Sequence, residues 1–172
     1  TPIYGVTSED RVYQGMSISF DFHLEEMWPA WVAGATLIAG PTDSRRFGQG
    51  LTDFLVDHQV TVFCSVPTLL TTIEQDPETV RCLLVSGEAM PEDLVRRWWR
   101  PDRRILNCYG PTETTVSSSC AELMPDRPVT LGTPFPTYAF YVLDEDLRPV
   151  PEGAVGEICI GGPGTGVGYL NR

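Results

Sequence analysis

The chain has 172 residues, 42% hydrophobic and 20% charged, enough to bury the core of one or two compact units, and this balance excludes a disordered chain. A formal net charge of −11, with 12 basic residues that are all arginine, excludes a nucleic-acid partner and places any lysine-dependent chemistry outside these residues. The apolar stretches are far too short to cross a bilayer, so no membrane contact by this segment is expected.

In chain order, Leu24, Met27, Trp28 and Trp31 fall at helical spacing with Gly34 as a stop signal, although Pro29 argues against an unbroken helix. Thr36-Leu37-Ile38-Ala39 reads as a short buried strand, and Phe47 to His58 as an amphipathic helix with Phe47, Leu51, Phe54 and Leu55 on one stripe. Thr61 to Cys64 is strand-like, and Pro67 opens a helix at its preferred first position. Cys82 to Val85 and Arg104 to Asn107 read as strands flanking a helix that starts at Pro91-Glu92-Asp93, whose acidic first turn suits the helix dipole. Arg96, Arg97, Arg100, Arg103 and Arg104 read as the solvated end of that helix.

This alternation predicts an α/β fold with a mostly parallel sheet and flanking helices over residues 1–120. Over 121–172, Val129 to Leu131, Tyr138 to Leu143 and Val155 to Ile160 read as strands between Pro- and Gly-rich turns, predicting an antiparallel or partial-barrel β region. Thr1-Pro2 and Leu170-Asn171-Arg172 read as ends cut from something longer. Five cysteines without a C-x-x-C pair, and two histidines far apart, form no zinc pattern and fit a reducing, cytoplasmic setting.

The run Asn107-Cys108-Tyr109-Gly110-Pro111-Thr112-Glu113-Thr114-Thr115 concentrates the chemistry. Gly110-Pro111 enforces a turn, Tyr109 offers a planar face, Thr112 a hydroxyl for a phosphate oxygen, and Glu113 a hard oxygen ligand suited to Mg2+. In open α/β sheets ligands bind beyond the carboxyl ends of strands. Cys64, Val85 and Asn107 each end a predicted strand, so their neighbouring loops are expected to form one crevice wall. At Gly87 the lack of a side chain lets a flat ring lie against the backbone.

The Asn107–Thr115 string resembles the fifth core motif of adenylate-forming enzymes, in the form used by amino-acid adenylation domains of nonribosomal peptide synthetases. Phe20-Asp21 with Glu26-Met27-Trp28 resembles the fourth motif, and Leu84 to Ala89 resembles the segment that borders adenine. Gly156 to Gly162, running on to Gly168-Tyr169-Leu170, resembles the sixth. The resemblance covers essentially the whole chain and implies part of the large N-terminal subdomain of such an enzyme, an ATP-dependent ligase. It implies that Gly87, Glu88, Ala89, Asn107, Tyr109 and Gly110 border the adenine, that Thr112 binds the α-phosphate, and that Glu113 holds Mg2+. ATP and Mg2+ are then the cofactors, and phosphopantetheine on a separate carrier domain receives the product.

In amino-acid-activating members the residue matching Asp21 pairs with the substrate α-ammonium, which favours an α-amino acid here; the alternative is that Asp21 is an N-terminal cap of the following helix. Aligned motif by motif, the resemblance implies further pocket positions at Phe22, Glu25, Cys64, Leu84, Ser86, Cys108, Val116 and Ser117. Glu25 stands among apolar and small residues, where an ionised carboxylate is costly unless a cation neutralises it, which predicts a basic, lysine-like amino acid. The alternative is a Glu25 that points into solvent. Arg11 to Gly15, Phe20 to Glu26 and Val66 to Leu70 further resemble ε-poly-lysine-synthetase-like enzymes. The family's phosphate loop, its ribose-binding Asp and its lid Lys do not occur here, so these residues alone are expected to be inactive. An acyl- or aryl-CoA ligase and a non-catalytic adenylation-like interaction domain are the rival readings.

Overall fold

A computed structural model describes residues 2–171; Thr1 and Arg172, the extremes of the end segments read above, lie outside the described residues. Nine strands and four helices follow in order: β1 (Arg11–Gln14), α1 (His23–Ala33), β2 (Thr36–Ala39), α2 (Gly48–Asp57), β3 (Val62–Ser65), α3 (Pro67–Thr71), β4 (Cys82–Val85), α4 (Glu92–Trp98), β5 (Arg104–Tyr109), β6 (Ser119–Glu122), β7 (Thr133–Pro134), β8 (Ala139–Leu143) and β9 (Glu157–Gly161). The main sheet has the order β2-β1-β3-β4-β5-β6-β7, parallel from β2 to β5 and antiparallel across β5-β6-β7; β8 and β9 form a separate antiparallel hairpin.

Period-two alternation sorts the strand side chains onto two covered faces. Tyr13, Phe63, Leu83, Val85 and Ile105 pack against Leu51 and Leu55 of α2, Leu70 of α3 and Trp98 of α4. Val12, Val62, Cys64, Leu84 and Cys108 face the other way, under Phe22 and Ala30 of the α1 segment. Every residue of β3 and β4 is buried, as expected of parallel strands covered on both sides.

α1 runs through Pro29 and ends where Gly34 takes a left-handed φ of 71°. Proline removes the N–H that would bond the carbonyl four residues back, which here belongs to Glu25. That oxygen accepts instead from the Cys64 thiol at 3.8 Å, so a side chain of β3 repairs the helix.

Four elements differ from the sequence reading. β1, β6 and β7 are strands only through their partners: runs of two to four residues carry little periodic signal until β2 and β3, β5, or β6 pair with them. Val129 to Leu131 is not a strand, because side chains take its carbonyls: Asn107 Nδ2 donates to Thr130 O at 2.8 Å and Ser119 Oγ to Leu131 O at 2.8 Å. The arginine run also divides. Arg96 and Arg97 are exposed, but the Arg103 side chain is fully buried and ion-paired with Asp76 at 2.6 Å.

Glu26 is fully buried and ties α1 to the turn after β1, accepting from Gly15 N at 3.1 Å and, through its other oxygen, from Gln14 Nε2 at 3.3 Å. Burial pushes its carboxyl up to about 7, although hydrogen bonds from Gly15, Met16 and Gln14 pull the other way. A folded-state value above the unfolded one means the folded chain holds the extra proton, so stability declines as pH rises. From about pH 4.5 to about 7 this group is expected to remove about 3 kcal/mol, and Glu26→Gln should flatten that slope in urea titrations. Asp10 acts in a lower window. Burial pushes its carboxyl up, but hydrogen bonds from Arg81, Thr61 and Thr7 take it to about 2, so its contribution is lost only in stronger acid.

Candidate active site

β3, β4 and β5 are adjacent, so their carboxyl ends form one edge of the sheet. Beyond β4 and β5 opens a cavity of about 580 Å3. Gly87, Glu88 and Ala89 form one wall, Asn107, Tyr109 and Gly110 another, and Val129 to Leu131 a third. The six positions assigned to adenine thus come together. The third wall was not legible, since it depends on Asn107 anchoring a loop 23 residues further on. Glu88 directs its carboxylate away from the cavity to Thr68, accepting from its N–H at 2.8 Å and its hydroxyl at 2.6 Å, so it offers the cavity its backbone.

Gly87 has φ +83°, and a Cβ there would lie 3.1 Å from the Phe20 ring. The missing side chain makes room for Phe20 rather than directly for a ligand. Gly110 is held more tightly still: its Cβ would meet the backbone of Val116 and Ser117 at 2.5–2.8 Å, because the chain doubles back immediately after the turn.

That doubling back is strained. Thr115 and Val116 have φ of 60° and 69°, a left-handed pair without glycine, and such strain persists only where surroundings over-determine it. Tyr138 OH donates to Thr114 O at 2.6 Å, Thr114 Oγ meets Ser118 Oγ at 2.6 Å, and Gly166 N donates to Glu113 O at 2.6 Å. Thr112 and Glu113 are thereby presented on a one-turn 3-10 helix, both exposed, beside a smaller cavity of about 200 Å3 that Gly166, Gly168 and Tyr169 also line. Tyr169 OH donates to Glu113 Oε1 at 2.8 Å, which holds the carboxyl below its ordinary value. Tyr169 was missed as a site residue, although the glycine-rich run around it carried the signal.

On the α1 side of the sheet, Phe22, Cys64, Leu84, Cys108 and Val116 share one buried cluster. Ser86, on the same face, instead lines the larger cavity. Asp21 is not a helix cap: α1 is capped by Phe22 without a side-chain bond, and Asp21 Oδ2 is buried with no hydrogen-bond partner. Ser117 Oγ is buried and likewise unpartnered. Glu25, one helical turn beyond Asp21, does not point into solvent. It is partly buried and lines a cavity of about 350 Å3 with Tyr4, Trp28, Val116 and Phe135. Burial raises its pKa, the neighbouring Asp21 charge adds to that, and the nearby Tyr4 and Ser117 hydroxyls oppose it. Among the described residues no cation pairs with Asp21 or Glu25.

A parallel α/β sheet with a glycine-edged cavity beyond its strand ends, and a hydroxyl–carboxylate turn beside it, is the arrangement expected above for the adenylate-forming class. The AMP-binding enzyme family profile matches residues 1–170, and the chain belongs to this family. It is 41% identical over 170 residues to the delta-poly-L-ornithine synthetase of Acinetobacter baumannii, covering 99% of this chain and 13% of that protein. Bacitracin synthase 3 of Bacillus licheniformis is 39% identical over 94% of this chain and 2% of its own length. The chain therefore spans only a small part of these relatives. Among solved structures, the nonribosomal peptide synthetase FmoA3 superposes with a TM-score of 0.87 at 29% identity, over 99% of this chain and 20% of that one. The N-terminal subdomain of Klebsiella oxytoca NpsA superposes with a TM-score of 0.79 at 29% identity, over 98% and 44%.

Proposed function

We propose that this chain is the selecting part of an amino-acid adenylation domain. With the rest of its protein it binds a basic amino acid and activates it with ATP as aminoacyl-AMP, releasing pyrophosphate, for loading onto a phosphopantetheine carrier. The observation that carries this reading is the pair of carboxylates at Asp21 and Glu25, unneutralised on one side of the sheet, with the Asp21 and Ser117 oxygens buried and unpartnered. A buried acceptor without a donor and a desolvated carboxylate without a counter-charge are both costly, and an α-ammonium at Asp21 with a side-chain ammonium at Glu25 relieves one cost each. The name of the poly-ornithine relative, which refers to a basic amino acid, supports the same choice.

The cavity bordered by Gly87 and Tyr109, at about 580 Å3, has the volume to hold a purine, and with Asn107 Nδ2 donating to Thr130, its Oδ1 is the group left to accept from an exocyclic amine. Thr112 would meet the α-phosphate. Glu113 fits Mg2+, which is typically bound through one or two carboxylates with substrate phosphates supplying further oxygens. Bound there, the ion would neutralise phosphate charge. The protein's own share is positioning and exclusion of water rather than covalent work.

The deciding measurement is amino-acid-dependent exchange of pyrophosphate into ATP by the intact protein, across lysine, ornithine, arginine, leucine and a fatty acid. Exchange with a basic amino acid is expected. Exchange with leucine alone would discard the Glu25 reading, and exchange with none of the amino acids would discard amino-acid activation.

A further inference from the structure

We infer that Cys108 and Cys120 form a reversible disulfide that staples the base of the Tyr109–Ser119 loop, a modification site that shares Cys108 with the pocket side of the sheet but takes no part in the substrate chemistry proposed above. The two cysteines are direct cross-strand partners in the β5-β6 pairing. Leu123 N–H donates to Ile105 O at 2.8 Å, so 105 and 123 are a hydrogen-bonded pair, and the alternation of antiparallel ladders makes 108 and 120 a non-hydrogen-bonded one. At such sites the Cα atoms stand about 4.5 Å apart with side chains on one face, inside the range that disulfides span. The Cys108 thiol already points at Cys120, Sγ to Sγ 3.8 Å, so bonding at about 2.0 Å needs a rotamer adjustment rather than a strand shift.

The two thiols are unequal in the way oxidation requires. Cys108 is buried, whereas Cys120 is partly exposed at a cavity of about 320 Å3 that Arg104 also lines. The Cys108 thiol hydrogen bond, and then Arg104, hold Cys120 below its ordinary pKa, and the same bond together with burial raises Cys108. Cys120 is therefore the thiolate that meets an oxidant and Cys108 the resolving thiol. With hydrogen peroxide as the oxidant, the Cys120 thiolate attacks one peroxide oxygen, the O–O bond breaks, and Cys120 becomes a sulfenic acid as hydroxide leaves and is protonated to water. Cys108 sulfur then attacks the Cys120 sulfur, the S–OH bond breaks, and the Cys108 proton leaves with that hydroxide as a second water. Two electrons pass from the thiols to the peroxide.

The bond would bracket the left-handed pair Thr115 and Val116 and the turn bearing Thr112 and Glu113, cross-linking the two strands from which that loop springs. The test is to treat the intact protein with hydrogen peroxide, quench and unfold it in denaturant so that the buried thiols are reachable, alkylate the free thiols, and map non-reduced peptides by mass spectrometry. A linked Cys108–Cys120 peptide pair is expected, lost with dithiothreitol, with Cys64, Cys82 and Cys159 still alkylated. Amide exchange across 109–119 should slow on oxidation, and the local thermal midpoint should rise by about 5–10 °C. Accumulation of sulfenic or sulfinic acid on Cys120 without linkage, two free thiols after treatment, or linkage to another cysteine would each overturn the assignment. None of these readouts requires a variant to fold.

Discussion

Glu25→Gln in the intact protein is expected to lower kcat/KM for the basic amino acid by about 100-fold while leaving leucine activation within a few-fold of its starting value. Losing one partner of a partly desolvated charge pair costs about 2–5 kcal/mol, and about 1.4 kcal/mol corresponds to a factor of ten. The isosteric amide keeps the volume, so Phe22, Val116 and Trp28 should keep their packing and the loss should fall on recognition alone. A pH arm separates charge from shape. Burial and then Asp21 raise the Glu25 pKa, so part of the carboxyl is protonated above the usual carboxylate range. Apparent affinity for the basic amino acid should therefore climb as pH rises through that raised value and then level off, and the Gln variant should lose the slope. An unchanged ratio of basic to apolar substrates would remove Glu25 from specificity while leaving amino-acid activation standing.

Arg103→Met is expected to cost about 3–5 kcal/mol of stability, the largest single loss we anticipate from a residue outside the site. The guanidinium is fully buried and donates to Val80 O at 2.7 Å, Trp98 O at 3.0 Å, Pro77 O at 3.1 Å and Asp76 Oδ1 at 2.6 Å, while stacking 5.4 Å from the Trp98 ring centroid. It pins the end of α4 and the loop before β4 to the start of β5, whose far end carries Tyr109. Methionine fills the space but takes this donor from the Val80 and Trp98 carbonyls, while Pro77 O keeps the Val80 N–H at 3.0 Å and Asp76 keeps Arg100 at 3.6 Å. Arg103→Lys should recover less than half, because a point ammonium cannot reproduce the planar fork. Urea unfolding followed by tryptophan fluorescence checks both; a loss under 1 kcal/mol for the Met variant would show that these contacts are replaced by water.

These two residues mark where sequence reading reached and where it stopped. Glu25 was singled out only through the family resemblance, which aligns it with a position where an apolar or aromatic residue is common, and the structure turns it toward a cavity rather than into solvent. Arg103 looked like its solvated neighbours Arg96 and Arg97, since nothing in an arginine run tells which member turns inward. That depends on Asp76, 27 residues earlier in the chain, arriving beside it. Tyr4 was missed for the same reason: it approaches Glu25 from a segment remote in sequence.

The sequence by itself determined the class of fold, the order of most elements, and the strings from Gly87 to Ala89 and from Asn107 to Thr115 that belong to the family, because periodicity, turn chemistry and contiguous motifs are local properties. Tertiary structure alone decided that Ser119 to Glu122 is a strand and Val129 to Leu131 a cavity wall, that Pro29 leaves a carbonyl for Cys64, and that Cys108 faces Cys120. Each depends on a hydrogen-bonding group finding a partner far along the chain, and a backbone or side-chain donor has no preference for one distant acceptor over another until the sheet brings them together.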